Sequence, residues 1–288
     1  HQLLHQLPND FDKSEAELLI AHVLKKPREF FLTHPEFKIG RLRNWKILKL
    51  IKKRKQGIPL AYLTGHKEFF GLDFEVNKHT LIPRPETEIM VDEVLDEIKR
   101  LKNYKITLID IGTGSGCIPV AIANQIRKSG LSVIRNSYAI DISRRALRVA
   151  RKNAKKHDVK INFLHGNLLS PILKSEIINH QSEIIITANL PYITEEQFRN
   201  EPSIQHEPKN ALVTENNGLD LYEKLLKQIA KYQISDIECF FEIGPNQSQL
   251  ITELIKKHLP QVDIQIKKDL SGLNRVVTVK THLGASRD

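Results

Sequence analysis

Residues 184–192 read Ile-Ile-Ile-Thr-Ala-Asn-Leu-Pro-Tyr. A β-branched apolar run of this length, closed by a polar residue and a proline, predicts a buried strand. In a chain that also carries helical patterns, such a strand belongs to a parallel sheet covered by helices. Its carboxyl end would deliver Asn189 and Tyr192 to the sheet edge where open α/β folds bind ligands.

The flanking sequence supplies the required alternation. Thr107–Ile111 reads as a strand, Gly112-Thr113-Gly114-Ser115-Gly116 as a tight turn, and Cys117 to about Ile126 as a helix. Ser137–Ile142 is a second strand, followed by a basic helix from about Ser143 to His157. Ile161–Leu164 is a third strand, ending at Gly166-Asn167, and residues 184–188 are the fourth. A helix from about Leu219 to Tyr232, a strand at Glu238–Ile243 and a helix at about 246–258 follow. Strands near 262–267 and 275–280 have no helix between them, which predicts an antiparallel hairpin at the sheet edge. The fold class is α/β: a seven-stranded, mostly parallel, Rossmann-like sheet with a small N-terminal helical domain.

That N-terminal part has a different texture. Ala16, Leu18, Leu19, Ala21, Val23 and Leu24, then Leu42, Trp45, Ile47, Leu48, Leu50 and Ile51, recur at helical spacing between about 12 and 56. Residues 1–66 are therefore expected to form the helical domain. Phe69–Val76, with Gly71 near the turn, predicts a hairpin within a connector at 67–80, and residues 81–288 form the main domain. The main domain opens on Leu81-Ile82-Pro83-Arg84-Pro85-Glu86-Thr87-Glu88. Its prolines impose an extended lead-in. Glu86 and Glu88 stand where carboxylates complement a helix dipole, and Val91, Val94, Leu95, Ile98 and Leu101 form the buried stripe.

Composition excludes several classes. No apolar run approaches a membrane span, and the N-terminus shows no signal-peptide pattern. Cys117 and Cys239, the only cysteines, lie in apolar segments and suggest no disulfide framework, so a cytoplasmic setting is expected. His1 and His5 have helical ligand spacing without an accompanying Cys or acidic cluster, so no metal is assigned. The net charge of +10 is Lys-rich, as in Lys52-Lys53-Arg54-Lys55 and Arg151-Lys152-Asn153-Ala154-Lys155-Lys156. Such runs suit nucleic acid or ribosomal surfaces, but also a solvated helix face, and charge alone does not choose.

Asp110 precedes the glycine turn and Asp141 ends the second strand. Glycines let a backbone approach a ligand closely, and an acid at the second strand's end can accept hydrogen bonds from ribose hydroxyls. It can equally cap the next helix. The turn has neither the dinucleotide spacing nor the Lys-Ser/Thr of a P-loop. This combination resembles class I S-adenosylmethionine-dependent methyltransferases. By that resemblance, Gly112, Thr113, Gly114, Ser115 and Gly116 pass the amino-acid part of the donor. Asp141 binds its ribose, Asn167 and Leu168 flank its adenine, and Asn189 borders donor and acceptor alike.

At the acceptor, a planar nitrogen keeps its lone pair in conjugation and must be positioned. The Asn189 side-chain oxygen and the Leu190 carbonyl can accept the two N–H hydrogens. Tyr192 can stack on a flat group, and Pro191 holds Leu190 extended. An Asn-Pro turn after a strand is the plain alternative. Asn-x-Pro-Tyr after the fourth strand resembles methyltransferases of planar nitrogens, whether adenine or glutamine. Residues 82–88 resemble the hallmark stretch of the peptide chain release factor glutamine methyltransferases (the PrmC/HemK family). Further matches are Gly57, Pro59, Tyr62 and Gly65; Glu207-Pro208; Gly218-Leu219 and Tyr222; Glu242-Ile243-Gly244 with Gln247; and Asp269 with Arg275.

The resemblance implies methyl transfer from S-adenosyl-L-methionine, leaving S-adenosyl-L-homocysteine, to the glutamine amide of the Gly-Gly-Gln motif in class I release factors. Asn189, Leu190, Pro191 and Tyr192 would bind that amide, Arg84 and Glu86 would help wall the site, and the helical domain would contact the release factor. No stable nucleic-acid complex, no membrane association and a monomer are expected. Two residues depart from the family pattern: Leu190 replaces a proline and Asn167 an aspartate. Asn-Leu-Pro-Tyr also resembles ribosomal-RNA adenine dimethyltransferases, so an adenine N-methyltransferase acting on rRNA or DNA is the alternative. A nucleoside-binding module without catalysis is the non-enzymatic one.

Overall fold

The computed structural model describes residues 11–34, 37–173, 183–232 and 237–281. His1, His5 and the expected tail after Thr281 lie outside these residues.

Among the described residues, four helices come first: α1 (Lys13–Leu24), α2 (Arg28–Thr33), α3 (Arg41–Lys55) and α4 (Leu60–Thr64). Asp12 caps α1 by accepting from the Ser14 amide at 2.7 Å. Ala16, Leu19, Ile20 and Leu24 of α1 pack against Ile47 and Ile51 of α3 as a separate small core. Arg54 reaches both carboxylate oxygens of Glu15, at 2.7 and 2.8 Å, and so braces α3 on α1.

A hairpin follows, β1 (His66–Phe69) and β2 (Leu72–Glu75). It begins three residues before the predicted start at Phe69, because His66, Lys67 and Glu68 are a solvated edge without an apolar signal. Phe70 and Gly71 make the turn with φ of 52° and 69°. The hairpin is fastened to the sheet domain by Asn153. Its side chain accepts from the Glu75 amide at 2.8 Å, and donates to the Glu75 and Ser115 carbonyls at 2.9 Å each.

The remaining elements are α5 (Glu88–Arg100), β3 (Ile106–Ile111), α6 (Cys117–Ser129), β4 (Ile134–Asp141), α7 (Arg144–Lys156), β5 (Asn162–His165), α8 (Ser170–Leu173), β6 (Glu183–Ala188), α9 (Glu195–Asn200), α10 (Asp220–Lys231), β7 (Ile237–Glu242), α11 (Ser248–His258), β8 (Val262–Lys268) and β9 (Asn274–Thr281). The seven-stranded sheet has the order β5-β4-β3-β6-β7-β9-β8. β5, β4, β3, β6 and β7 run parallel, while β9 is antiparallel to β7 and to β8. The predicted fold class and terminal hairpin are thus present. β4 starts at Ile134, ahead of the predicted Ser137, because Arg135 and Asn136 obscure its apolar pattern. α8 and α9 were not anticipated; one turn or so of helix is too short to show a period.

The sheet separates two apolar layers. One face carries Ile109, Ile186, Phe241 and Tyr222 with the α10–α11 side. The other carries Leu108, Ile185 and Phe240 with α5, α6 and the hairpin phenylalanines. β3 and β6 lie centrally, and their carboxyl ends open side by side at Gly112 and Asn189.

Candidate active site

Where β3 ends, the chain turns through Gly112, Gly114 and Gly116, all at positive φ (73°, 55° and 80°). These values suit glycine and carry strain for other residues. Space is also short. A Cβ on Gly116 would stand 3.1 Å from the Ala150 Cβ, so α6 and α7 approach closely only without it. A Cβ on Gly112 would stand 3.1 Å from Leu190 Cδ2, bringing the turn against the segment after β6.

Asp141 ends β4 beside this turn. Its Oδ2 accepts from the Gly114 amide at 2.9 Å and its Oδ1 from the Ser143 amide at 2.7 Å. Burial pushes its carboxyl up, while the Ser143 and Gly114 amides oppose that shift. A carboxylate has about four lone-pair sites, so two backbone bonds leave capacity for a pair of hydroxyls.

A cavity of about 490 Å³ opens over these strand ends. Gly112, Gly114, Asp141, Asn167, Leu168, Asn189, Leu190 and Pro191 are among the residues that line it. Its size is that of a small-molecule or cofactor site. A nucleoside with an amino-acid tail fits the donor set: an acid for the ribose, bare backbone at Gly112, and an amide with a buried Leu168 beside the base.

The other predicted residues are placed differently. Thr113, Ser115 and Gly116 do not line the cavity; Thr113 and Ser115 are buried and form the floor of the turn. Arg84, Glu86 and Tyr192 also lie outside its lining. Arg84 pairs with Glu207, whose other oxygen accepts from the Ile82 amide at 2.9 Å. Glu86 is exposed.

The Asn189–Tyr192 segment is held by residues from distant parts of the chain. Tyr222, fully buried, accepts from the Leu190 amide at 3.2 Å. Its hydroxyl hydrogen faces the carbonyls of Ala188, at 3.1 Å, and Glu242. Gln247 donates to the Tyr192 carbonyl at 3.0 Å and the Asn217 carbonyl at 2.8 Å, and accepts from the Gly244 amide at 2.8 Å. Gly218 (φ 85°) lies so near that an added Cβ would stand 2.0 Å from the Tyr192 carbonyl oxygen. Asn189 Nδ2 donates to Thr87 Oγ1 at 3.3 Å. Glu207, Gly218, Tyr222 and Gln247 had appeared only as family matches, and their contacts join segments far apart in the chain.

Two buried carboxyls lie beneath the site. Burial pushes Asp110 up to about 7, opposed by the Thr113 and Thr187 hydroxyls and reinforced by Asp141. Thr187 donates to it at 2.6 Å. Burial likewise pushes Glu242 up to about 7.

The PrmC N-terminal domain family matches residues 1–65, and a methyltransferase domain family matches residues 102–274. The release factor glutamine methyltransferase of Bacillus anthracis is 34% identical over 272 residues, covering 93% of each chain. That of Enterococcus faecalis is 40% identical over 220 residues, covering 76% of this chain and 74% of its own. This chain belongs to the release factor glutamine methyltransferase family. Among solved structures, the catalytic domain of human METTL16 in complex with a MAT2A 3'UTR hairpin superposes with a TM-score of 0.53 at 16% identity, covering 92% of each chain, and shares the fold. For a release factor glutamine methyltransferase family member, the departures at Leu190 and Asn167 acquire surroundings. Leu190 is buried against Gly112 and uses its amide on Tyr222, a bond that proline would lack. Asn167 borders the cavity from an exposed position. Among the described residues, no helix is long and apolar enough to cross a membrane, and no group of three or more His, Cys, Asp or Glu could hold a metal.

Proposed function

We propose that this chain transfers a methyl group from S-adenosyl-L-methionine to the side-chain amide nitrogen of the glutamine in the Gly-Gly-Gln motif of class I release factors. The observation that carries this reading is one cavity lined together by Gly112, Asp141, Asn189, Leu190 and Pro191. Family membership over nearly the whole chain favours a glutamine over a base as the acceptor.

Asp141 holds the donor's ribose, Gly112 and Gly114 let its amino-acid part lie against backbone, and Asn167 with Leu168 receives its adenine. The donor supplies an electrophilic methyl on a positively charged sulfonium. The chain's own task is orientation. Asn189 Oδ1 and the Leu190 carbonyl accept the two N–H hydrogens of the acceptor amide, fixing its nitrogen toward the methyl. These oxygens also favour the positive charge that develops on the nitrogen. Pro191 and the Tyr222 hydroxyl fix the backbone that carries them. No buried base is needed, because the proton can leave to water after transfer.

The test offers labelled methyl donor with purified release factor, ribosomal RNA and duplex DNA. Label is expected in the release factor, and should vanish when its Gly-Gly-Gln glutamine is replaced. Label confined to RNA or DNA would instead establish an adenine acceptor. Asn189→Ala should lower kcat by about 10²–10³-fold, the scale of losing one oriented hydrogen-bonding group in a transition state. Binding of S-adenosylhomocysteine should persist; a variant that turns over normally would remove Asn189 from the acceptor role.

A further inference from the structure

A side-chain amide has an oxygen on one side and an NH2 on the other, and a half-turn exchanges them. Only one orientation of Asn189 can accept an N–H from a substrate amide. The other would point its own hydrogens at those of the substrate.

The surroundings of Asn189 choose between the two. Its Nδ2 donates to Thr87 Oγ1 at 3.3 Å. Thr87 is 2% exposed and stands at the end of the 85–87 turn that leads into α5. The register pairs Ala188 with Phe241, so Glu242 is the neighbour of Asn189 at the carboxyl edge of the adjoining strand. Glu242 is 1% exposed, and its Oε2 has no hydrogen-bond partner among the described residues. The Thr87 hydroxyl and the Asn189 amide both favour the charged form of that carboxyl. A hydroxyl whose single hydrogen faces a carboxylate has only lone pairs left to offer. Asn189 must then meet Thr87 through its NH2, which leaves Oδ1 for the cavity.

We infer that Thr87 and Glu242 are positioning residues that hold the Asn189 amide in the orientation presenting Oδ1 to the acceptor. The inference rests on the acceptor role proposed for Asn189.

Glu242 also makes the arrangement sensitive to pH. Burial is the largest influence on its carboxyl; Thr87, Arg275 on β9 and Asn189 favour its charge, and Glu86 in the 85–87 turn opposes it. Tyr192, Tyr222 on α10 and Cys117 on α6 also feel that charge. Once protonated, Glu242 can donate to Thr87, whose hydrogen is then free to turn toward Asn189. The orientation is no longer enforced, so kcat should fall as pH drops through about 7.

Two measurements test this. In ¹⁵N-labelled protein without substrate, the Asn189 Nδ2 protons should exchange with water more slowly than those of exposed asparagines and show a nuclear Overhauser contact to the Thr87 methyl. In kinetics, Thr87→Val should lower kcat by about 10- to 100-fold, the scale of a misoriented reacting group. Affinity for S-adenosylhomocysteine should stay unmoved, and Thr87→Ser should restore most of the rate. Glu242→Gln should lower kcat and flatten the acid side of its pH profile.

Fast exchange of the Asn189 amide in the wild type overturns the inference. So does full kcat in Thr87→Val, a loss that serine does not rescue, or an unchanged acid limb in Glu242→Gln. A wild type that methylates no release factor refutes the glutamine reading separately, since the amide measurement needs no substrate.

Discussion

Asp141 and Gly218 represent two kinds of residue. Asp141 faces the cavity, with a carboxylate held by two backbone amides and lone pairs to spare. Asp141→Ala should weaken S-adenosylhomocysteine binding in calorimetry by about 1.5–3 kcal/mol, the range for hydrogen bonds to a charged group, and should also lower the melting temperature, because the Gly114 and Ser143 amides lose their acceptor. Gly218 faces the Tyr192 backbone and the Gln247 side-chain amide, at distances no Cβ can share. Gly218→Ala should destabilise the fold by about 1–3 kcal/mol in urea unfolding, as overpacking does, and lower kcat by displacing Tyr192. The place of Asp141 was legible in the sequence because it is local: a strand end, then a helix start, after a glycine turn. Thr87, Gln247 and Glu207 were not. Thr87 meets Asn189 across 102 positions, and Glu207 meets Ile82 across 125, and no local period encodes such pairings.

At the scale of elements, the site depends on how β6 and β7 end together. Tyr222 of α10 reaches under both, touching the Ala188 and Glu242 carbonyls and the Leu190 amide. Its ring is fully buried in the same layer as Phe241, 5.3 Å away between centroids. Tyr222→Phe preserves that packing and removes only the hydroxyl. It should cost about 1–3 kcal/mol in denaturant unfolding, because the Leu190 amide is left without its partner, and should reduce kcat more than donor affinity. Strands and long helices were legible because buried apolar runs and 3.6-residue stripes are strong signals. β1 and the first residues of β4 were hidden by polar residues that face solvent, and α8 and α9 by their brevity. The glycine turn and the Asn189 segment could be placed from the sequence, yet the distinction between lining and floor could not. The turn brings Gly112 and Gly114 to the cavity and buries Thr113 and Ser115, a distinction that local spacing does not show.

Across the whole molecule, the helical part and the sheet domain meet beside the cavity. Tyr62 donates to the Thr80 carbonyl at 2.6 Å, and the His206 ring reaches the Gln56 carbonyl at 2.9 Å. Glu207 ties the same loop to Ile82 and Arg84, so the 82–88 stretch is shaped from both sides. Charge also acts globally. Asp110 is pushed from 3.8 to about 7 in the fold, so the stability it contributes is full below pH 4 and lost as pH rises through about 7. Asp110→Asn removes that dependence. Its melting temperature relative to wild type should be higher at pH 8 than at pH 5, and a pH-independent difference would show that Asp110 is not the group responsible. The contact of Gly112 with Leu190 has a consequence beyond this one chain. The glycine turn and the segment after β6 share a single van der Waals gap, so bulk gained at one position must be given up at the other. Across relatives, side-chain volume at the two positions should therefore covary inversely, and the pair would be inherited as one unit.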